Sequence, residues 1–308
     1  MVRTRIACLK IRHSLLEEYR LLGADEDRYA VLAAMTLGDK SALSPTIRDV
    51  YAVTGASHIL ALSGMHLGIL YMLLSLLTFS RGRHRILTQA ILITAVWAFA
   101  LLTGLSVSVV RSALMISIFA VFAVGFRFNA SLNLLSLSAI IILMVNPYAL
   151  FDVGFQLSFM AVLGILLFVP LMGGRSHYRI VNILTDCLRV SAAAQLGVAP
   201  LLAFYFGRFS TYFLLTNLIV LPAAYLILYG SLLMLLVHWQ PLATLVIGMV
   251  GLLNRILAQM NRWPLASIEG LHPSVLQVLF CYLAIACLLG ILIVWSGKRP
   301  KNTIRWDN

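Results

Sequence analysis

Ser63 and His66 stand three residues apart in the apolar stretch Ser57 to Phe79, SHILALSGMHLGILYMLLSLLTF. At that spacing two side chains share one face of a helix. With Asp152 they supply the residue types of a nucleophile, a base and an orienting acid. The spacing itself weakens that idea, because a serine one turn from a histidine readily makes a local hydrogen bond instead. An intramembrane hydrolase is therefore the minor alternative. It requires Ser63 and His66 within hydrogen-bond reach of each other and of an oxyanion pocket. His58 lies at the outer end of the same stretch, and one continuous helix would place His66 about 12 Å deeper. The zinc-helix pattern H-E-x-x-H and the phosphate loop G-x-x-x-x-G-K-[ST] are both missing from the sequence, so no metal or other cofactor is expected.

Other polar groups recur at the same depth. Arg111 sits one turn into the apolar segment 107–125, and Asn146 and Asp152 flank the turn between segments 132–146 and 154–172. Gln156 follows one turn further in, Gln195 lies near the middle of segment 187–206, and Asn217 one turn into segment 214–237. Polar side chains from several helices, converging inside an apolar layer, are what a substrate pathway needs. Each also has a structural alternative. Arg111 can snorkel to headgroups or pair with Asp152, and His66 can be satisfied by Ser63 or a carbonyl. Gln156, Gln195 and Asn217 can be interhelical glue, and Gly64 with Gly68 can form a small-residue packing face.

The elements that carry these residues follow from composition. The 308 residues are 61% hydrophobic and 11% charged, with a mean hydropathy of +0.95. A soluble domain is excluded, and the expected fold is all-α: a polytopic helical membrane bundle with an N-terminal amphipathic helical collar. About nine transmembrane segments are expected, at 58–79, 86–103, 107–125, 132–146, 154–172, 187–206, 214–237, 242–259 and 275–295. Pro147, Pro170, Pro200 and Pro222 should bend or end helices. Residues 1–56 are amphipathic, with Leu15, Leu16, Tyr19 and Leu22 at helical spacing, then a second helix ended by Gly38-Asp39. Ser44 and Pro45 read as the cap and first position of a short helix that stops at Gly55. The domains are thus 1–56, periplasmic or interfacial helices; 57–296, transmembrane; and 297–308, a basic cytoplasmic tail. Trp97, Trp239 and Trp263 fit interface anchors, and the four cysteines fit packing roles.

The net charge of +12 arises largely in loops. Arg81, Arg83, Arg85, Arg127, Arg175, Arg179, Lys298, Arg299, Lys301 and Arg305 fall on one side, and only Arg208 and Arg262 in the opposite loops. The basic side is cytoplasmic by the positive-inside rule, which leaves residues 1–56 external. Those residues hold eight Lys and Arg of their own, a conflict that upstream membrane segments in a longer chain would remove.

Several motifs, in order, resemble one family. They are Leu37-Gly38-Asp39, the run His58 to Leu67, and Gly104-Leu105-Ser106 with Ser108, Arg111, Ser112 and Ala113. Asn146-Pro147, then Asp152-x-Gly154-Phe155-Gln156-Leu157-Ser158-Phe159, then Gln195 with Pro200 and Asn217-Leu218 with Pro222 complete the set. The chain resembles the competence domain of the ComEC family. That resemblance implies a channel of the bacterial inner membrane that passes single-stranded DNA from periplasm to cytoplasm in natural transformation. The implied partners are single-stranded DNA, the lipid bilayer, a periplasmic DNA receptor, and a cytoplasmic helicase-type motor or single-stranded-DNA-binding proteins. Members of that family commonly carry an external OB-like domain before this region, and many carry a metallo-β-lactamase-like domain after it, proposed as the nuclease. No H-x-H-x-D-H pattern stands in this sequence, so a non-enzymatic channel is expected. His58, Ser63, His66, Arg111, Asp152, Gln156, Gln195 and Asn217 are the candidate pathway residues. The alternatives are a secondary transporter of a small anionic solute centred on Arg111, and a non-functional fragment of a larger channel.

Overall fold

The computed structural model describes residues 2–77, 85–125, 131–173 and 177–296. The tail 297–308 and the loop residues Arg81, Arg83, Arg127 and Arg175, on which the orientation rests, lie outside the described residues. Helices α1 (Val2–Leu21), α2 (Glu26–Leu37) and α3 (Pro45–Val53) come first. They are followed by α4 (Ser57–Leu60), α5 (Gly64–Leu77), α6 (Arg85–Leu102), α7 (Val107–Gly125) and α8 (Ser131–Val145). A 3-10 turn over Pro147–Phe151 leads to α9 (Val153–Phe168) and α10 (Arg179–Phe206). Strand β1 (Arg208–Ser210), α11 (Phe213–Val237), α12 (Gln240–Asn261), strand β2 (Ser267–Glu269) and α13 (Val275–Ser296) complete the order.

The architecture is all-helical, at 81% helix. Among the described residues α10, α11, α12 and α13 are long and apolar enough to cross a membrane. The other five apolar helices stand at the expected positions, with described apolar stretches of 17 residues or fewer. A helix of 14 residues such as α5 rises about 21 Å, short of the ~30 Å hydrocarbon layer. One feature departs from the sequence expectation. β1 and β2 pair antiparallel, Arg208 with Glu269 and Ser210 with Ser267, across two stretches that read as plain loops. Of the two outcomes expected at the prolines, a bend or an end, Pro200 and Pro222 do not end their helices: they lie inside α10 and α11.

The chain divides into two compact units. The first comprises Met1–Phe126 and Ile219–Ala266. Its N-terminal helices start and stop as their caps dictate. Asp25 accepts from Arg28 N at 3.0 Å, Ser44 Oγ accepts from Ile47 N at 3.2 Å, and Gly38 closes α2 at φ 71°. α2 does not behave as a one-faced surface helix. All residues from Tyr29 to Leu37 are buried, because Ala30, Ala33 and Ala34 let α1 and α12 approach on different sides. Tyr19 of α1 is fully buried and donates to Thr36 Oγ1 at 3.0 Å; burial raises its pKa to about 12, so it stays a donor. Arg28 lies against Gly251 of α12, where an added Cβ would stand 2.8 Å from its Nε. Tyr51 of α3 donates to Asn254 Oδ1 of α12 at 2.6 Å.

The core of this unit joins Leu62, Leu67 and Leu70 to Val96, Phe99 and Ala100 of α6, and to Val109 and Ala113 of α7. Polar ties run alongside. Tyr71 donates to Gln89 at 2.8 Å, and Trp97 Nε1 to Ser117 Oγ at 3.1 Å. Trp97 thus donates between α6 and α7.

The second unit comprises Arg127–Leu218 and Ser267–Asn308. Its centre is the crossing of α9 and α10, where Gly164 and Gly197 bring the two backbones together. A Cβ on Gly197 would collide with the Met160 carbonyl oxygen, and one on Gly164 with that of Ala193. Tyr282 of α13 adds a hydrogen bond to the Gly197 carbonyl at 2.9 Å, one turn from Pro200. Arg208 and Glu269 approach to 3.7 Å across the β-ribbon. Cys281 and Cys287 are exposed on α13 rather than packed.

Gly197→Ala should cost at least ~1–3 kcal/mol of stability, because the intruding methyl meets backbone and not a movable side chain. Gly290→Ala, where nothing lies within 4 Å of the new Cβ, should be neutral or stabilising by up to about 1 kcal/mol. Thermal unfolding of the two variants in detergent compares them directly; equal midpoints would refute the close crossing. Tyr51→Phe and Asn254→Ala should each cost ~1–3 kcal/mol through the unmet polar group left behind. In a double-mutant cycle their effects should be clearly less than additive, and strict additivity would deny the contact.

Candidate functional site

The apolar stretch that begins at Ser57 is not one helix. α4 ends at Leu60, Ala61 is extended at φ −102° and ψ 127°, and α5 begins at Gly64. The depth of His66 relative to His58 therefore cannot be reckoned from continuous helical rise. Leu62 fixes the break in place. Its Cδ1 stands 2.5 Å from where a Cβ on Gly38 would be, a contact the end of the leucine can relieve by shifting, so it is the left-handed backbone that calls for glycine at position 38.

Ser63 and His66 meet at the start of α5. Ser63 N donates to His66 Nδ1 at 3.3 Å, and Ser63 Oγ lies 3.2 Å from the same nitrogen. A backbone amide can only donate, so Nδ1 carries the lone pair and the neutral ring holds its proton on Nε2. The arrangement is the reciprocal half of a capping box, with histidine in the place usually held by glutamate. His66 is 1% exposed, and its Nε2 has no hydrogen-bond partner among the described residues. The hydrolase alternative receives the Ser63–His66 contact it requires. Among the described residues, however, no carboxylate orients the ring through Nε2, and Nδ1 is already engaged by the Ser63 amide.

The remaining candidates of the first unit are His58 and Arg111. His58 is exposed, and its Nδ1 lies 3.1 Å from the Gly55 carbonyl. Arg111 is 4% exposed on α7, so it does not snorkel outward. The start of α5 packs beside it in sequence: a Cβ on Gly64 would be 2.8 Å from Ser112 Oγ. Gly68 would meet nothing within 4 Å, so the Gly64–Gly68 spacing is not a two-point packing face.

Asp152, Gln156, Gln195 and Asn217 belong to the second unit. Asp152 is exposed and caps α9, accepting from Phe155 N at 2.7 Å. Gln156 accepts from Tyr205 at 2.8 Å and donates to the Leu150 carbonyl at 2.9 Å, which makes it a tie between α9, α10 and the 3-10 turn. Gln195 is half-buried in α10. Among the described residues Asn217 Oδ1 is buried without a partner, as is the neighbouring Thr216 Oγ1, on a residue of 0% exposure. Thr216 and Tyr205 carry no sequence signal of their own. The helix break does carry one, since Ser63-x-x-His66 has the spacing of a capping box.

A family model described as "Competence protein" matches residues 35–296, which include every residue named above from Gly38 onward as far as Ser296. Over 196 residues the chain is 31% identical to "ComE operon protein 3" of Bacillus subtilis (strain 168), covering 64% of this chain and 25% of that protein. Over 194 residues it is 30% identical to a protein of Aquifex aeolicus (strain VF5) named "Uncharacterized protein", covering 63% of this chain and 44% of the other. The chain thus spans between a quarter and under half the length of these relatives. No solved structure matches. With the match running from the end of α2 through α13, the chain belongs to the competence protein family, the ComEC family that its motifs resemble.

Proposed function

We propose that this chain is the membrane-embedded part of a DNA-uptake channel. It passes single-stranded DNA from periplasm to cytoplasm across the bacterial inner membrane, with its C-terminus cytoplasmic and residues 1–56 periplasmic. Membership of the competence family over residues 35–296 is the observation that carries this. The buried Arg111 supports it: an ionisable side chain enclosed among apolar helices marks a functional position by default, and a polyanion is a fitting substrate for a cation. The chain itself acts as a conduit and not as an enzyme. A periplasmic receptor delivers the DNA, and a cytoplasmic motor or single-stranded-DNA-binding proteins draw it in. Amide, hydroxyl and imidazole groups offer weak, repeated contacts that let a chain move on.

Arg111→Ala should lower transformation by about tenfold to a hundredfold, the scale of one lost charge-assisted hydrogen bond. Arg111→Lys, which keeps the charge, should retain part of the activity. The assay is DNA uptake in a strain whose only copy of the gene carries the variant, with protein level measured in the membrane fraction. Normal uptake by Arg111→Ala at a normal level would remove this residue from the pathway. Loss of small-anion import with DNA uptake intact would favour a solute transporter.

A further inference from the structure

We infer that the turn between α8 and α9, Pro147–Phe151, is seated in lipid and not in water, with the rings of Tyr148 and Phe151 at the boundary between acyl chains and headgroups. The inference rests on the reading of the chain as a membrane protein. Its first support is what the turn displays. Tyr148 is 80% exposed and Phe151 75%, and Met144, Val145 and Leu150 are exposed beside them. Connections that face water are ordinarily built from Gly, Pro, Asn, Asp and Ser. Here the sequence from Ser131 to Phe168 holds one residue of the Asp, Glu, Lys and Arg types, Asp152. Ile140 and Met144, four residues apart, continue the apolar surface along one face of α8. An exposed apolar patch of this kind marks an interaction surface.

The backbone says which partner covers it. Asn146 Oδ1 accepts from Tyr148 N at 3.1 Å, and the Asn146 carbonyl from Ala149 N at 3.1 Å. The Ala149 carbonyl accepts from Asp152 N at 3.1 Å, and the Leu150 carbonyl from Gln156 Nε2 at 2.9 Å. Asp152 accepts from Phe155 N at 2.7 Å, and Pro147 has no N–H to satisfy. A turn in water can leave such groups to solvent, whereas in lipid the protein must meet them itself. Polar backbone turned onto itself beneath outward apolar side chains is the combination that lipid demands. Helix length agrees with it. α8 has 15 residues and α9 has 16, so they rise about 22 and 24 Å, short of the ~30 Å hydrocarbon layer. Tyrosine, an apolar ring with a polar tip, suits the boundary itself. Asp152 stands at the N-terminus of α9, where the helix dipole favours a carboxylate. A nucleic-acid strand fits this surface poorly. The turn carries no cation for its phosphates, and the exposed Asp152 beside it repels them.

The test uses the full chain in nanodiscs of phosphatidylcholine and phosphatidylglycerol. Tyr148→Cys and Phe151→Cys replace exposed side chains, and each is compared with Glu26→Cys at the exposed start of α2. Reaction with a charged, membrane-impermeant maleimide is followed at each position by peptide mass spectrometry, which separates it from reaction at the native cysteines. Both turn positions should react about tenfold or more slowly than Glu26→Cys, because a charged reagent is excluded from the apolar layer. The three should react alike once the chain is denatured. In the unsubstituted chain, a diazirine placed on the acyl chain near the headgroup should form adducts with Tyr148 or Phe151. Reaction as fast as that of Glu26→Cys overturns the seating and leaves the membrane reading standing. Slow reaction without lipid adducts means that protein, such as a second copy of the chain, covers the turn, and overturns lipid as the occupant. Slowing that requires an added single-stranded oligonucleotide makes the turn a nucleic-acid contact and overturns it equally. A chain that does not enter nanodiscs overturns the membrane reading and this inference together.

Discussion

A helix can stop inside an apolar layer only where the protein itself meets the backbone groups that the stop releases. That constraint governs the region from Gly38 to Ser112. The chain leaves α4 at Leu60 and re-enters a helix at Gly64, and the Ser63 amide exposed by the interruption is met by His66. The repair has consequences in both directions along the sequence. Leu62, turned inward by the extended segment, seats on Gly38 and joins the core formed by α5, α6 and α7. Gly38 in turn ends α2, the helix buried between its neighbours throughout its last nine residues. Leu62 on Gly38 thus joins Arg28 against Gly251 and Tyr51 on Asn254 in tying the N-terminal helices to the apolar ones.

Apolar surface gains little by moving from lipid onto another helix, so packing in such a bundle depends on close approach and on hydrogen bonds. The two units use different mixtures. In the second, Gly164 and Gly197 bring α9 and α10 into backbone contact, and Tyr282 and Tyr205 each place a phenol on a neighbouring element. In the first, side-chain pairs do most of the joining: Tyr71 with Gln89, Trp97 with Ser117, Tyr51 with Asn254, and Tyr19 with Thr36. Tyrosine suits this task because one side chain provides both an apolar ring and a single donor. α13 stands apart, with a long apolar surface exposed along its length, the form expected of a helix facing lipid.

The helix positions were legible in the sequence because apolar runs and their caps are local signals. Ser44-Pro45 and Gly38 fall where their chemistry requires, and the apolar helices stand where the runs do. The β-ribbon was not legible, since three-residue strands separated by more than fifty residues have no local pattern. Pro200 and Pro222 left two outcomes open, a bend or an end, and sequence alone does not choose between them because the choice depends on whether neighbouring elements supply replacement contacts. The break at Ala61–Ser63 was hidden by composition: hydropathy counts apolar side chains and is blind to whether the backbone between them is helical. Among the site residues, type and depth identified His66 and Arg111 as buried polar groups. What type could not reveal was which atoms are already engaged.

That distinction separates the candidate residues more sharply than burial does. Asp152 uses its carboxylate on the Phe155 amide, and Gln156 uses both ends of its amide on Tyr205 and Leu150. Removing either would disturb the backbone. Among the described residues His66 commits one nitrogen to Ser63 and leaves the other unmet, and Asn217 likewise keeps a buried oxygen without a partner. A path for a moving chain cannot be lined by groups that must let go of the fold in order to touch it. Neither can it be lined by strong, fully free charges, which would hold a polyanion in place. A group anchored at one atom and open at another satisfies both conditions: its position costs no further ordering, and its contact is a single hydrogen bond that thermal motion can break.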